Sequence, residues 1–132
     1  MKRFIMLCCA SLLAACSTPT PPVQASLAGE VFYLQRIALP PAATLNVELH
    51  DVSLMDAPAV TLARQAGPVN GNVPLPFQLS YDPRQIKPGH RYAVSARIEL
   101  DGQLLFINTT QQAVNLDGHD AQPLRIKLDP AR

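Results

Sequence analysis

Several kinds of residue are scarce in this chain, and each scarcity excludes a class of function. There is no Trp, and aromatic residues form only 5% of the 132 residues. Sugar sites are expected to present aromatic rings as stacking platforms, so the composition argues against sugar binding. Basic and acidic residues nearly balance, at 11 and 10, and no block of Lys or Arg forms a phosphate-binding patch. The sequence therefore predicts no nucleic-acid partner.

Long hydrophobic runs are also lacking. The apolar run from Phe4 to Leu13 follows the basic residues Lys2 and Arg3. It is too short to cross a membrane as a helix, which needs about 20 residues. A basic start, a short apolar run and small residues before a cleavage point are typical of a secretory signal peptide. We predict such a peptide over residues 1–15.

The end of this run carries the most specific motif of the N-terminus. Leu13-Ala14-Ala15-Cys16 resembles the lipobox of bacterial lipoproteins, in which the Cys becomes the acylated first residue of the mature chain. The resemblance predicts lipid attachment at Cys16, and two or more acyl chains anchor a protein stably. The residue after Cys16 is Ser17 and not Asp. By resemblance to enterobacterial sorting, this favours the outer membrane, with the domain facing the periplasm. The alternative is an ordinary signal peptide that contains a Cys.

Cysteine is confined to the first 16 residues. Cys8 and Cys9 belong to the predicted signal peptide, and Cys16 is the predicted lipid site. No disulfide can then form within the mature chain, although the compartment would permit one. The stability of the domain must come from its apolar core.

Three Pro and two Thr within Ser17–Gln24 predict an extended, semi-rigid tether. We place the lipidated N-terminus and tether at residues 16–27 and one domain at residues 28–132. In that domain no stretch shows a helical period. Instead, short runs alternate between apolar and polar residues, as half-buried strands do. The predicted strands are Gly29–Ile37, Thr44–Val52, Ala59–Gln65, Leu75–Tyr81, Tyr92–Leu100, Leu104–Asn108 (with Ala113–Leu116 as a continuation) and Leu124–Leu128.

About seven short strands with turn signals between them predict an all-β fold, an immunoglobulin-like antiparallel β-sandwich. Asp101-Gly102 is a strong hairpin signal. Tyr92, just after Pro88-Gly89, resembles the tyrosine corner of such sandwiches, in which a Tyr hydroxyl bonds to the backbone a few residues upstream. The alternative is a plain turn followed by a core Tyr.

A longer run connects the chain to a known family. Arg36 to Ala43 reads R-I-A-L-P-P-A-A, and it is followed by L-N-V-E-L-H-D-V-S at Leu45 to Ser53 and by D-A-P at Asp56 to Pro58. These residues resemble the YbaY/YscW family of bacterial lipoproteins, and the resemblance extends over the mature domain. It implies a β-sandwich anchored to the outer membrane. Some members are pilotins, chaperones that help a secretin reach its membrane, but this sequence resembles the YbaY-like members more closely.

The polar residues do not form a catalytic pattern. The predicted mature chain has no free thiol nucleophile, and its three His residues are His50 on a polar strand face, His90 in a turn and His119. Asp117-Gly118-His119-Asp120 resembles a metal loop only weakly, because a metal needs three or four converging ligands. For this loop, and for the Asp51 and Asp56 pair, turn chemistry is the favoured interpretation. We predict no enzyme activity, no metal and no cofactor.

Two predicted strands break the alternation and suggest a partner surface. Val31 to Leu34 and Leu104 to Ile107 carry apolar residues on both faces, whereas one face of a sandwich strand is buried by the other sheet. The surplus side chains are covered by loops, turned inward by a bulge, or exposed. If they are exposed, we expect Phe32, Leu34, Leu104 and Phe106 to form a partner-binding patch, although the alternate residues are equally open to this role.

Two functions of different classes follow from the sequence. The first is a non-catalytic binding or chaperone module of the cell envelope, with an envelope protein such as a secretin as its partner. The second is an envelope enzyme or a carbohydrate-binding protein.

Overall fold

The fold is built from strands that follow the alternating runs of the sequence. The structure, a computed structural model, describes residues 15–19 and 23–132. In these residues it contains nine strands and one 3₁₀ turn at Pro83–Gln85. The strands are β1 Ala25–Phe32, β2 Thr44–Asp51, β3 Val60–Pro68, β4 Leu75–Tyr81, β5 Tyr92–Leu100, β6 Gln103–Ile107, β7 Gln112–Val114, β8 Leu124–Lys127 and β9 Asp129–Pro130.

The strands form two sheets. The small sheet has the order β4-β1-β8, and the large sheet has the order β3-β2-β5-β6-β9, with β7 also paired to β5. The pairing is antiparallel throughout except between β1 and β8, which are parallel. The described residues thus form an all-β, two-sheet structure as predicted, but with nine strands instead of about seven and with one parallel pair. The immunoglobulin-like classification stays a prediction.

The core lies between the two sheets. In β4 the residues Leu75, Phe77, Leu79 and Tyr81 are buried and the residues between them are exposed. In the large sheet, β2 buries Leu45, Val47 and Leu49, which pair with buried residues of β5 at Ile98, Ala96 and Val94. A strict period of two produces this arrangement, because successive side chains of a strand point to opposite faces. The bounds of β4 and β5 agree with the sequence prediction.

The first strand lies earlier than predicted. β1 begins at Ala25, within the segment predicted as tether, and ends at Phe32, and Ile37 is exposed instead of buried. The inward residues of β1 are Leu27, Gly29 and Val31. A Cβ at Gly29 would lie 2.6 Å from the Leu124 carbonyl oxygen and 2.6 Å from Cζ of Phe77, so this position admits no side chain. Gly29 interrupts the apolar alternation because neighbouring groups occupy the space of its side chain.

Two local predictions are confirmed. Asp101 and Gly102 both have positive φ, 49° and 80°, as the tight turn of the β5–β6 hairpin requires. The hydroxyl of Tyr92 accepts a hydrogen bond of 2.8 Å from the backbone N–H of Lys87, which is the contact of a tyrosine corner. This contact fixes the segment before β5 against the start of that strand.

The start of β1 and two connecting segments lie at one end of the two-sheet structure. Ala25, where the chain enters β1, pairs with Tyr81, the last residue of β4. The β2–β3 loop (residues 52–59) and the β4–β5 connection (residues 82–91) lie at the same end, because β3 starts and β4 stops there. We call this the tethered end. The loop that follows β1, residues 33–43, lies at the opposite end.

Candidate functional site

The predicted lipid site is partly within the described residues. Cys16 is exposed and free, and the backbone N–H of Ser17 donates a 3.0 Å hydrogen bond to the carbonyl of Ala15. The rest of the predicted signal peptide, with Leu13 and Ala14 of the lipobox, lies outside the described residues. Among the residues that are described, none forms a helix with the length and hydrophobicity of a membrane span.

The structure corrects the predicted partner-binding patch at Phe106. This side chain is buried, and its ring stacks on that of Tyr33 with centroids 4.3 Å apart and planes 10° apart. The reason is a bulge: Ile98 pairs with Phe106 while the next residue, Glu99, pairs with Leu104, so Leu105 is the extra residue. The bulge turns Phe106 into the core, which is one of the alternatives that the sequence left open.

The other three predicted residues differ in their exposure and in their place in the fold. Phe32 is half-buried on the small sheet, where the Arg125 guanidinium lies 4.7 Å from the centroid of its ring. Leu104 is half-buried in β6 of the large sheet, beside Glu99. Leu34 is exposed in the turn after β1. Since Phe106 is buried, the patch cannot consist of all four predicted residues.

A groove at the tethered end brings apolar side chains together instead. It measures about 450 Å³. Its apolar lining is contributed by the β2–β3 loop and the first half of β3, and its polar rim by Asp51 and by the β4–β5 connection. The lining residues are Asp51, Leu54, Pro58, Val60, Leu62, Arg84, Gln85, Lys87 and His90. Leu54 and Val60 are 66% and 56% exposed, so these two hydrophobic side chains face water.

One carboxylate holds the loop wall of the groove in place. Asp51 accepts hydrogen bonds from the backbone N–H of Ser53 at 3.0 Å and from its hydroxyl at 2.6 Å. Its other oxygen lies 2.6 Å from Nδ1 of His90. The Ser53 hydroxyl oxygen in turn accepts from the backbone N–H of Arg91 at 2.7 Å. These contacts join the β2–β3 loop to the β4–β5 connection, and we call Asp51, Ser53, His90 and Arg91 the loop latch.

The hydrogen bonds of the loop latch change the pKa of its carboxylate. The hydrogen bonds from Ser53, followed by the one from His90, lower the pKa of Asp51 from its ordinary 3.8 to about 2. Hydrogen bonds to the charged form of a carboxyl favour that form. Asp51 is therefore ionised in the folded protein at neutral and mildly acidic pH. In this form its carboxylate accepts the hydrogen bonds that hold the β2–β3 loop beside His90.

Two cationic residues at the rim of the groove, Arg84 and Lys87, differ in whether they form an ion pair. Arg84 is paired with Asp82, with Nη2 2.8 Å from Oδ2, and the hydrogen bonds from Arg84 lower the pKa of Asp82. Lys87 is fixed through its backbone by Tyr92, whereas its ammonium has no carboxylate partner among residues 15–19 and 23–132. The groove therefore combines an apolar floor with one available positive charge at its edge.

Some of the polar residues considered for catalysis form local hydrogen bonds. In the Asp117–Asp120 loop, Asp120 accepts from the backbone N–H groups of Asn115 and Leu116 at 2.8 and 2.7 Å. His50 lies on the large sheet 3.0 Å from the Ser95 hydroxyl and 3.2 Å from Glu48. No group of three His, Cys, Asp or Glu side chains in the described part of the chain is placed to hold a metal ion. The groove itself is lined by apolar side chains together with Asp51, Arg84, Lys87 and His90.

Sequence reasoning did not find the groove, although a signal was present. Between two predicted strands, residues Leu54 to Pro58 contain four apolar residues and one charged residue. Loops of this length are normally polar, since they run over the surface. The surplus of apolar residues in the loop identifies the groove better than the two strands with broken alternation do.

The comparisons with known proteins agree with one another. Residues 22–128 match the family model described as "Type III secretion system lipoprotein chaperone (YscW)". The chain is 36% identical to the "Uncharacterized lipoprotein YbaY" of Escherichia coli (strain K12), over 86% of this chain and 67% of that protein.

A solved structure is also similar, over nearly its full length. It is described as "Structure of an alternative pilotin from the type II secretion system of Vibrio cholerae". The TM-score is 0.77 at 47% sequence identity, covering 83% of this chain and 99% of that chain. Since the family model spans most of the residues and both relatives are well above the level of chance similarity, the chain belongs to the YbaY/YscW family of bacterial lipoproteins.

Proposed function

We propose that this protein is a membrane-anchored, non-catalytic chaperone that binds a secretin subunit, as a pilotin does. The observation that carries the proposal is the similarity to the Vibrio cholerae pilotin, at 47% identity over almost all of that chain. The matching family model, which is described as a lipoprotein chaperone of type III secretion, supports the same role. A chaperone needs a surface that recognises a segment of its client, and the groove at the tethered end is the surface that offers one.

The groove suits an amphipathic segment. Leu54, Val60 and Leu62 present apolar side chains to a partner's apolar face, as the hydrophobic grooves of helix-binding modules do. The Lys87 ammonium at the rim favours an acidic residue beside that face. The loop latch keeps the wall in position before the partner arrives, so less conformational freedom is lost on binding.

Anchoring is the second part of the proposal. We place the signal peptide at residues 1–15, the acyl chains on Cys16 and the domain in the periplasm at the outer membrane. The support is the lipobox and the family, whose YbaY and YscW members are both described as lipoproteins. An anchored chaperone carries its bound client to the membrane in which the client must assemble.

The groove is tested with two matched substitutions. Val60→Asp places a carboxylate in the groove, and Ile37→Asp places one at the opposite end, and both Val60 and Ile37 are 56% exposed. We expect Val60→Asp to weaken co-purification with the secretin of the same cell at least tenfold, about 1.4 kcal/mol, and Ile37→Asp to leave it unchanged. Urea melts check that both variants fold. Equal binding by the two variants would remove the groove from the proposal, and no secretin binding by the wild type would remove the function.

The anchor is tested by metabolic labelling with a palmitate analogue. The wild type should incorporate the label, and Cys16→Ser should accumulate as an unlabelled precursor. Ser17→Ala, next to the acylated residue, is the control and should be labelled normally. Equal labelling of wild type and Cys16→Ser would contradict lipid attachment at Cys16.

A further inference from the structure

The exposed hydrophobic side chains of the described residues are unevenly distributed. Six large ones are exposed: Val23, Leu34, Ile37, Leu54, Met55 and Val60. Four of the six lie at the tethered end or just before it, and only Leu34 and Ile37 lie at the other end. Single exposed hydrophobic residues need no explanation, but a concentration of them at one end marks an interaction site.

The most exposed of these residues is not explained by the groove. Met55 is 89% exposed and does not line the groove, although its neighbours Leu54 and Pro58 do. It lies in a tip, residues 54–59, in which every residue is exposed and Asp56 is the one charged residue. A partner in the groove would leave Met55 in water. The tip therefore calls for a second contact.

The path of the chain indicates what lies next to this tip. Residues 17–24 connect the proposed lipid at Cys16 to Ala25, and eight fully extended residues span at most about 29 Å. Ala25 pairs with Tyr81, so the chain enters the domain at the end that carries the tip. The tether thus limits how far the end of the domain that carries the tip can lie from the lipid anchor. A tether of this length makes even a weak contact effectively intramolecular.

We propose that the loop tip at Met55 is a second membrane contact, seated at the headgroup–acyl boundary of the bilayer that carries the lipid anchor. This inference rests on the lipid attachment in the proposed function. Apolar side chains on an otherwise polar surface bind at that boundary because their surface leaves water. Asp56, the charged residue of the tip, remains at the headgroup level in water. The contact orients the domain so that the groove opens beside the membrane surface.

The test uses the lipidated mature protein, purified from membranes and reconstituted in vesicles of phosphatidylethanolamine and phosphatidylglycerol. Cys8 and Cys9 leave with the signal peptide and Cys16 is acylated, so a newly introduced Cys is the reactive thiol. An environment-sensitive fluorophore, nitrobenzoxadiazole, is attached to Met55→Cys and, as a control at the opposite end, to Leu34→Cys. Leu34 is 68% exposed and apolar, so a label there meets similar surroundings in the domain.

We expect the emission at position 55 to shift to shorter wavelength on reconstitution and to be quenched by brominated lipids, and the emission at position 34 to stay as in water. Water-like emission at both positions would overturn the proposal, and so would equal shifts at both, because the domain would then have no preferred orientation. The readout involves no secretin. A protein that shows the contact but binds no secretin would therefore contradict the proposed chaperone role alone, whereas loss of palmitate labelling would remove the anchor on which both depend.

Discussion

The middle of the two-sheet structure and its tethered end treat hydrophobic side chains in opposite ways. Between the sheets, Val31, Val47 and Leu79 are fully buried and the polar residues of the same strands face outward. At the tethered end, Leu54, Met55 and Val60 remain in water on a loop and on the start of an edge strand. Burial of a side chain of this size stabilises a fold by about 1.5–3 kcal/mol, and these three contribute little of it.

The polar groups differ in the same way. In the middle they lie on the outer faces, as in the contact of Arg64 with Glu48 and Asn46, and they serve the surface of the sheet. At the tethered end, Asp51 contacts Ser53 and His90 and so fixes a loop whose apolar side chains are exposed to water. The buried side chains between the sheets therefore stabilise the fold, whereas the polar contacts at the tethered end hold the wall of the groove in position.

The largest effect is expected where a charge enters the middle. Val47→Asp should lower the free energy of unfolding by several kcal/mol, because an unpaired carboxylate would replace a fully buried side chain in a domain with about 5–15 kcal/mol available. The same change at Val60 should cost less than about 1 kcal/mol, since Val60 is more than half exposed. Urea melts measure both. Equal losses would mean that the tethered end is as tightly packed as the middle.

A smaller loss is expected at the close contact between β1 and its neighbours. Gly29→Ala should cost about 1–3 kcal/mol, because its Cβ would meet a backbone oxygen and the Phe77 ring at 2.6 Å. Gly67→Ala in β3 is the matched control, as a Cβ there meets nothing within 4 Å. Thermal melts should show the control at or slightly above the wild type. A neutral Gly29→Ala would show that β1 and β8 separate easily.

The loop latch should make stability depend on acid. Because the folded pKa of Asp51 is lowered to about 2, its contribution is present above pH 3.8 and is lost as the pH falls from there towards 2. Asp51→Asn should remove roughly 1–2 kcal/mol at neutral pH and flatten the pH profile of unfolding in this window. Asp56→Asn, in the same loop but exposed, is the control. Parallel profiles for wild type and Asp51→Asn would contradict the latch.

The smallest effect on stability is expected in the groove itself. Leu54→Ser should change the free energy of unfolding by no more than about 0.5 kcal/mol, because the side chain is already 66% exposed. Leu49→Ser, at a fully buried position of β2, is the contrast and should be strongly destabilising. Denaturant titrations separate the two. A large loss for Leu54→Ser would indicate that the groove wall is part of the core.

The sequence by itself determined the strands whose pattern is local. Alternation with a period of two was sufficient for β2, β4 and β5, because each strand buries one face and the residues of that face can be counted along the chain. The Asp101-Gly102 turn and the Tyr92 contact were also readable, since each depends on a few neighbouring residues. The resemblance to the family could also be recognised from short segments between Arg36 and Pro58.

Tertiary structure decided the features that depend on residues distant in sequence. The start of β1 was hidden because Gly29 has no side chain to count, and the reason for that glycine lies in Phe77 and Leu124. Phe106 turned inward because of a bulge against β5, which no local pattern announces. The groove forms where residues 51–62 lie next to residues 84–90 of the β4–β5 connection, which joins the small sheet to the large sheet. A binding surface assembled from separate segments becomes visible when the chain is folded, because its parts are neighbours in space and not in sequence.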